Sequence, residues 1–165
     1  FVDHAVSVAR AALVGECHDR IVNRRHPRIE LLVEREGDQT RQRPPLSRRR
    51  VAMVSSAALI RRGDQPFAFG SGECREVRTD KGTDDILVSH VSINFDRSGY
   101  QRDINTILPI DRLAELAREK VIGSVSTHHW TVMGSTDPEQ MKDSADTIAA
   151  AMKMDGVDAV VLIPV

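Results

Sequence analysis

Three neighbouring residues in the C-terminal third of the chain, His128, His129 and Trp130, carry the side chains best suited to chemistry. They follow an apolar run that predicts a strand over residues 121–127 and precede Gly134, so we expect a polar and aromatic turn at the carboxyl edge of a sheet. An imidazole there can act as a general acid or base near neutral pH, or as a metal ligand. Because adjacent residues of an extended segment point to opposite sides, one histidine is expected to face a cleft. The alternative is a hydrogen-bonding, structural role for both.

The other candidate groups are scattered along the chain. His90 would complete a set of three imidazoles, but no Cys or carboxylate lies at metal-ligand spacing, and no metal site is predicted. Cys74 stands among Glu73, Arg75 and Glu76 in a predicted loop, where nothing clearly stabilises a thiolate, so we interpret it as incidental. The sequence has no strand-linked GxGxxG, no GxxxxGK[ST] and no GxSxG. Nucleotide enzymes and ordinary hydrolases are therefore disfavoured.

Composition limits the class of protein. The 165 residues are 41% hydrophobic and carry a formal net charge of −1, which is typical of a globular domain and lacks the cationic excess needed to bind nucleic acid or an anionic membrane. No apolar run approaches the roughly 20 residues of a membrane span, and the first residues lack the features of a signal peptide. We therefore expect a cytoplasmic protein. Two cysteines, Cys17 and Cys74, are too few for a disulfide scaffold.

Strand and helix signals alternate in the second part of the chain. Asp111 and Asp137 are predicted N-caps, Pro138 is a favoured first helical residue, and Gly156 is a predicted helix stop. Because helices precede the last two strands, we predict an α/β layered fold with a mostly parallel sheet and flanking helices. The predicted strands are residues 51–57, 85–92, 121–127 and 157–163, and the predicted helices are residues 112–120 and 138–155.

The loops at the carboxyl ends of such strands are where α/β proteins place their chemistry. Residues 55–67, 90–105 and 126–135 are expected to leave the same end of the sheet and to form a cleft. The last strand, within residues 157–165, is continuously apolar, as a strand covered on both faces would be. We expect another segment or another chain to cover it, because its apolar side chains would otherwise be exposed.

The N-terminal part differs in composition from the rest. The first 50 residues hold 11 Arg against 7 acidic residues. The apolar spacing predicts a helix over residues 3–25, and the Pro- and Arg-rich residues 37–50 predict a linker. We therefore divide the chain into an Arg-rich helical arm, residues 1–45, and an α/β domain, residues 46–165. The arm either binds an acidic partner subunit or is a solvated segment.

A series of motifs in order is more specific than any one of them. The segments VAMVSSAALIRRGDQPF, ILVSH, DINTILPIDRLAELAREKVIGSVSTHHWTVMG and DGVDAVVLIPV together resemble the selenoprotein B family of the glycine, sarcosine, betaine and D-proline reductases. The resemblance covers residues 46–165 and is strongest from Asp103 to Gly134. One departure is Ser92, where the family commonly has a second histidine shortly after the one that matches His90.

The resemblance implies a two-subunit enzyme that reductively cleaves a carbon–nitrogen bond of a small amino acid or amine. A partner subunit carries a pyruvoyl group in some members, and the selenoprotein B component carries an attacking selenocysteine or cysteine, whose oxidised form is reduced by selenol or thiol exchange. No cofactor is implied in this chain. In D-proline-reductase-like members the redox residue follows the strand that matches VVLIPV, so the nucleophile is expected just after Val165 or on another chain.

The predicted site follows from both arguments. The candidate catalytic residues are His90, His128 and His129, and the candidate cleft-shaping or substrate-binding residues are Asp103, Asn105, Arg112, Trp130 and Met133. Asp103 or Asn105 is expected to bind backbone amides of the loop, and Arg112 to bind a carboxylate with both arms of its guanidinium. The expected partner is a second reductase subunit or a C-terminal fragment that covers residues 157–165. The alternatives are a noncatalytic assembly subunit that keeps the fold, and an independent small enzyme that uses His128 or His129 as acid or base.

Overall fold

The computed structural model describes residues 44–165. The predicted helix over residues 3–25 and most of the predicted linker lie outside the described residues. The described end of that linker is a single 3-10 turn, Leu46–Arg48, and the first strand starts at Arg50.

Seven strands and three α-helices form the described domain. The strands are β1 Arg50–Ser55, β2 Leu59–Arg61, β3 Cys74–Arg78, β4 Ile86–Val88, β5 Ser124–Val125, β6 His128–Val132 and β7 Ala159–Ile163. The α-helices are α1 Ser98–Arg102, α2 Ile110–Arg118 and α3 Lys142–Met154, and shorter 3-10 turns lie at Leu46–Arg48, Ile104–Thr106 and Pro138–Met141.

β1 is the central strand of the main sheet. β7 pairs with it in parallel from Val51↔Ala159 to Ser55↔Ile163, and β5 and then β6 pair in parallel along its other side. β3 runs antiparallel to β6. β2 and β4 form a separate antiparallel pair. The predicted α/β fold with a mostly parallel sheet and flanking helices is confirmed.

Alternate residues of β1 face two different layers. Val51 and Met53 pack with Leu113 of α2 and with residues of the β2–β4 pair. Ala52 and Val54 face the opposite layer, which α3 covers. The predicted buried stripe of this helix is confirmed, since Met141, Ala145, Ile148, Ala149 and Met152 are all buried.

The helix termini follow the predicted signals with one exception. The Asp137 side chain accepts a hydrogen bond from the Glu139 amide, and Gly156 ends α3 in the left-handed region at φ 67°. The exception is α2, whose N-cap position is Pro109. Asp111 lies in the first turn of that helix, where its negative charge is favourable to the helix dipole.

Two predictions about strands in residues 70–92 need correction. The segment predicted as a sheet strand over residues 85–92 contains only β4, and it pairs with β2 outside the main sheet. Residues 70–84, interpreted as a loop because of their glycines and charges, contain β3. β3 is an edge strand, and most of its side chains are partly exposed, so it lacks the alternation of buried residues that strand prediction relies on.

The strand predicted over residues 121–127 was placed too early. β5 has only two residues, and the strand resumes as β6 through the residues predicted to be a turn. Trp130 and Val132 pack on the α3 side, while His129 and Thr131 are buried on the other. Because the side chains buried on one face of this strand are polar, its sequence lacks the pattern of apolar residues from which a buried strand is predicted.

β7 lies at one edge of the main sheet in the described part of the chain, since its only strand partner there is β1. The expectation that the apolar side chains of residues 157–165 would be exposed without a covering segment or chain holds only in part. Val157 and Val161 are buried by the chain itself, whereas Val160, Leu162 and Ile163 are partly buried. No helix among residues 44–165 is long and apolar enough to cross a bilayer.

Candidate functional site

The ends of three parallel strands are tied together just after β1. The Ser56 amide donates to the Ile163 carbonyl at 3.0 Å, and the Gly134 amide donates to the Ser56 carbonyl at 3.0 Å. The Ser56 hydroxyl oxygen accepts a hydrogen bond from the Val165 amide at 2.9 Å. Ser56 therefore binds the segments that leave β6 and β7. We call this end of the sheet the carboxyl edge.

Two backbone positions at the carboxyl edge have strict requirements. A Cβ atom on Gly134 would lie 2.8 Å from the Ser56 Cβ, so the close approach needs glycine. Ala58 is buried in the left-handed region at φ 54° and turns the chain from β1 into β2. Its carbonyl accepts from the Ser89 amide at 2.9 Å, which brings a third segment to this edge.

A small apolar cluster lies beneath these contacts. Ala58, Phe67 and Met133 are buried together, and Ile60 and Val91 pack against them. The three segments predicted to leave the same end of the sheet therefore meet, and Met133 lies where they meet. We call this group the edge cluster.

His90 is the residue directly before Val91 of the edge cluster, and it is 6% exposed. Its Nδ1 accepts a hydrogen bond from the Ser92 amide at 3.2 Å, and its ring stacks on Phe95 with centroids 5.0 Å apart. An Nδ1 that accepts fixes the neutral ring as the tautomer with its proton on Nε2. Among the described residues Nε2 has no hydrogen-bond partner.

Burial and charge both keep the His90 ring neutral. Desolvation is the larger cause that lowers the pKa of His90, and the Arg97 guanidinium lowers it further. A buried donor without a partner costs about 1 to 3 kcal/mol. Such unused groups in a native structure call for an explanation, and a functional role is one.

His128 lies at the opposite end of the sheet, because it is the first residue of β6. Its Nδ1 contacts the Glu76 carboxylate of the neighbouring strand. Its amide donates to the Ser126 hydroxyl at 2.8 Å. We expected His128 or His129 to lie at the carboxyl edge, and for His128 this is wrong, because the strand begins at this residue instead of ending before it.

His129 lies inside the sheet and is 0% exposed. Between β5 and β6 the ladder along β1 is interrupted, and the Met53 amide donates to the His129 Nδ1 at 3.1 Å instead of to a carbonyl. Burial, followed by the charge of His128, lowers the pKa of His129 to about 4. Its Nε2 also has no partner among the described residues. His129 thus supplies a missing backbone acceptor.

An ionic cluster surrounds the start of β6, and sequence reasoning missed it. Arg50 binds Asp155 through two nitrogens, at 2.8 and 3.2 Å, and the Ser126 hydroxyl donates to the same carboxylate at 2.5 Å. Burial alone would raise the pKa of Asp155, but the hydrogen bonds from Arg50 and Ser126 outweigh it and lower the pKa. We call Arg50, Glu76, Ser126, His128 and Asp155 the amino-edge cluster.

Asp103 and Asn105 organise the start of α2. The Asn105 amide and side-chain nitrogen both donate to the Asp103 carboxylate, at 2.9 and 2.8 Å. The Asn105 side chain also donates to Asp111 at 2.9 Å and accepts from the Asp111 amide at 3.0 Å. The hydrogen bonds from Asn105 lower the pKa of Asp103. The expected binding of backbone amides is present.

The remaining predicted site residues, Arg112 and Trp130, make other contacts than those expected. Arg112 makes one 2.8 Å contact with Glu115 on its own helix, and its side chain is 53% exposed, so the expected two-armed contact is absent. Trp130 is buried beneath α3. Cys74 packs on that same side of the sheet. Among residues 44–165 no group of three or more His, Cys, Asp or Glu side chains could hold a metal ion.

The residues that form the carboxyl edge are mostly small and uncharged, and sequence reasoning did not select Ser56, Ala58 or Gly134. The available signal was the run SSAA after a buried strand, since small residues there allow close approach of backbones. Nothing in the sequence pattern pairs Ser56 with Val165.

Comparisons with known proteins agree on one family. The family model for glycine/sarcosine/betaine reductase selenoprotein B matches residues 46–164. The D-proline reductase subunit gamma of Acetoanaerobium sticklandii is 34% identical over 116 residues, covering 68% of this chain and 47% of that protein. The glycine reductase complex component B subunit gamma of Symbiobacterium thermophilum is 28% identical over 133 residues, covering 76% and 31%.

A third relative, the glycine reductase complex component B subunit gamma of Carboxydothermus hydrogenoformans, is 27% identical over 125 residues, covering 71% of this chain and 28% of that protein. The chain thus spans less than half the length of these curated relatives. No solved structure matches it. The family match across the described domain shows that the chain belongs to the glycine/sarcosine/betaine reductase selenoprotein B family.

Proposed function

We propose that this chain is part of a reductase subunit that cleaves a carbon–nitrogen bond of a small amino acid or amine, and that the reaction occurs at the carboxyl edge. Family membership supports the reaction class, because the relatives are named as subunits of D-proline and glycine reductases. The observation that carries the location is the contact of Ser56 with Val165. It holds the end of β7 at Ser56, and two residues further along the chain the Ala58 carbonyl accepts from the amide of Ser89, the neighbour of His90.

The proposed nucleophile is a thiol or selenol that follows Val165 or comes from another chain. Its anion attacks the carbon that bears nitrogen, the carbon–nitrogen bond breaks, and the nitrogen leaves with the electron pair and takes up a proton. A second thiolate then attacks the sulfur or selenium of the adduct. The carbon takes up a proton and leaves reduced, and the disulfide or selenenyl sulfide that remains is reduced by a dithiol.

His90 is the proposed hydrogen-bond donor to the anionic nucleophile. The neutral ring holds its proton on Nε2, and that donor is not used by any described residue. A hydrogen bond to the charged form of a thiol or selenol lowers its pKa and increases the reactive fraction at neutral pH.

The test is a dithiol-dependent turnover assay on the natural full-length protein assembled with the other subunits of the reductase. Glycine, sarcosine, betaine and D-proline are supplied separately, and loss of substrate is measured by NMR. We expect one of them to be consumed only when the dithiol is present. Absence of turnover by the assembled complex with all four would contradict the proposal.

The role of His90 has its own measurement. We expect His90→Gln to raise the pH at which the nucleophile reacts with iodoacetamide by about one unit, because the hydrogen bond to its anion is lost. Arg112→Gln, an exposed change on α2, is the control and should leave the pH profile unchanged. An unchanged profile in His90→Gln would remove this role.

A noncatalytic assembly subunit is the second candidate. The free cysteine among residues 44–165 is Cys74, which packs on the α3 side of the sheet, away from the edge cluster. This candidate predicts that the complex requires the chain for assembly, yet keeps its turnover when His90→Gln and Ser56→Ala are introduced together.

We propose further that the open side of β7 binds a strand from a second reductase subunit or from another segment of the protein. The strand has one partner in the described part of the chain, and Val160 and Leu162 are only partly buried. Free strand edges of this kind pair readily. Hydrogen exchange at the amides of β7 should slow on assembly of the complex, whereas unchanged exchange would contradict this contact.

A further inference from the structure

Two loops at the carboxyl edge each expose one large apolar side chain. Phe69 is 86% exposed and Ile93 is 94% exposed. Each stands two residues beyond a member of the edge cluster, Phe67 for one loop and Val91 for the other. The two exposed residues, which we call the tips, therefore project from a shared apolar base.

The first loop is held in place by an arginine beneath it. The Arg75 guanidinium donates to the Gln65 carbonyl at 2.5 Å and lies 4.1 Å from the centre of the Phe67 ring. A 3.1 Å backbone hydrogen bond closes the turn of residues 68–71, which contains Phe69. The loop thus presents Phe69 in a defined position.

The second loop has the same construction. The Arg97 guanidinium donates to the His90 carbonyl at 2.7 Å and to the Ser92 carbonyl at 3.4 Å, both in the chain that leads to Ile93. The guanidinium also lies 5.7 Å from the centre of the Phe95 ring, which in turn stacks on His90. In both loops an arginine therefore binds the backbone that leads to the tip.

Ordered apolar side chains that face water are costly alone and effective in binding, because little entropy is lost when a partner covers them. Resting on the proposed function, we propose that Phe69 and Ile93 are the anchors of a docking surface for a different subunit of the same reductase. Two extended residues span about 7 Å, so each tip stays close to the shared edge cluster. Both then fit within one interface of about 800 Å² per partner.

The chemistry of the surface favours a neutral protein partner. In residues 62–75 two Arg are balanced by one Asp and one Glu, and in residues 89–97 Arg97 is balanced by Asp96. A nucleic acid or an anionic membrane would need an excess of cations. A second copy of this chain is the other protein partner that a neutral surface suits, and the test below distinguishes it. Two projecting side chains of this kind fit apolar pockets on the surface of a different subunit.

The test co-expresses the natural full-length protein with the other reductase subunits of its source organism and measures their dissociation constant by analytical ultracentrifugation. We expect Phe69→Ser and Ile93→Ser each to weaken assembly at least tenfold, and the double variant at least a hundredfold. Met154→Ser is the matched control, since Met154 is 89% exposed at the end of α3, near the amino-edge cluster. It should change the constant less than twofold.

Normal assembly of the double variant would overturn the inference, and so would an equal loss in Met154→Ser. Self-association of the wild-type chain that the double variant abolishes would assign the surface to a second copy and overturn the heteromeric partner. Turnover by a complex that assembles without the tips leaves the proposed function intact and removes only the docking surface. If assembly depends on the tips but the complex turns over none of the four substrates, the docking surface stands and the proposed function is overturned.

Discussion

The two ends of the main sheet are held together by different kinds of contact. At the amino edge, side chains make the contacts: Arg50, Ser126 and Asp155 are joined by hydrogen bonds, and His128 contacts Glu76. At the carboxyl edge, backbone groups of residues 56–58 and 134 make most of them. The amino edge uses its polar side chains for structure. A buried Nε2 without a partner among the described residues occurs at His90, next to the carboxyl edge, and at His129 inside the sheet.

The difference shows that a residue's type is a poor guide to its role until its partners are known. His128 and His129 have the same ring chemistry as His90, but their Nδ1 atoms connect strands across the sheet, to Glu76 and Met53. The Nδ1 of His90 binds the amide two residues ahead of it. His90 therefore anchors a loop, while the other two anchor the sheet.

The largest effect is expected for His129→Leu. The substitution leaves the Met53 amide buried without an acceptor and should lower the free energy of unfolding by about 2 to 4 kcal/mol. Urea unfolding followed by the fluorescence of Trp130, the single tryptophan, measures it directly. His128→Leu, at the partly exposed end of the same strand, should cost less than about 1 kcal/mol. Equal losses would erase the distinction between the two histidines.

The carboxyl edge has its own critical position in Gly134. Gly134→Ala places a methyl group 2.8 Å from the Ser56 Cβ and 2.9 Å from its carbonyl oxygen. We expect a loss of about 1 to 3 kcal/mol, because backbone must move to relieve the contact. Gly99→Ala is the control, since the nearest atom to its Cβ would be 3.8 Å away. A melting temperature for Gly134→Ala equal to that of the control would mean that this edge is loosely built.

Acid should weaken the fold in two different pH ranges. The unfolded chain binds a proton at a histidine near pH 6.5, whereas folded His129 does so only at about 4 and the pKa of His90 is also lowered. Stability should therefore fall as the pH decreases below about 6.5, by at most about 1.4 kcal/mol per pH unit for each histidine. Asp155, with its lowered pKa, stabilises the fold above the unfolded carboxyl value, and this is lost at more acidic pH.

Urea unfolding across about pH 2.5 to 7 measures these slopes. His129→Gln, which cannot titrate, should flatten the curve between pH 4 and 6.5, while Asp155→Asn should alter it only below about pH 4. A curve that Asp155→Asn changes mainly above pH 5 would contradict this assignment.

The smallest effect is expected for Arg112→Lys. Arg112 makes a single contact with Glu115 in water, so the change should cost less than about 0.5 kcal/mol. Arg50→Lys provides the contrast, because an ammonium cannot reproduce the two-nitrogen contact with Asp155, and we expect about 1 to 2 kcal/mol. Thermal unfolding of both variants compares an exposed pair with the amino-edge cluster. Similar melting temperatures would show that this cluster contributes little.

The sequence predicted what local signals determine. The buried stripe of α3 and its stop at Gly156 follow from spacing and from one left-handed residue, and the apolar runs of β1 and β7 mark two strands. It did not predict β3 or the extent of β6, because their patterns depend on which neighbour covers each face. Among the residues of the candidate site, the sequence predicted a role for His90 and for Met133. Ser56 was missed because its role comes from a residue 109 positions away.

The position of β1 also governs the order in which the domain can form. The strands that pair with β1 in the described residues are made much later, since Val51 meets Val125 and Ala159. At synthesis rates of about 5 to 20 residues per second, this apolar strand waits on the order of 5 to 20 s for β7. During that interval its backbone and side chains lack their native neighbours, and such non-local pairing slows folding. Newly made chains are therefore expected to leave β1 without its native strand partners until β5, β6 and β7 have been synthesised.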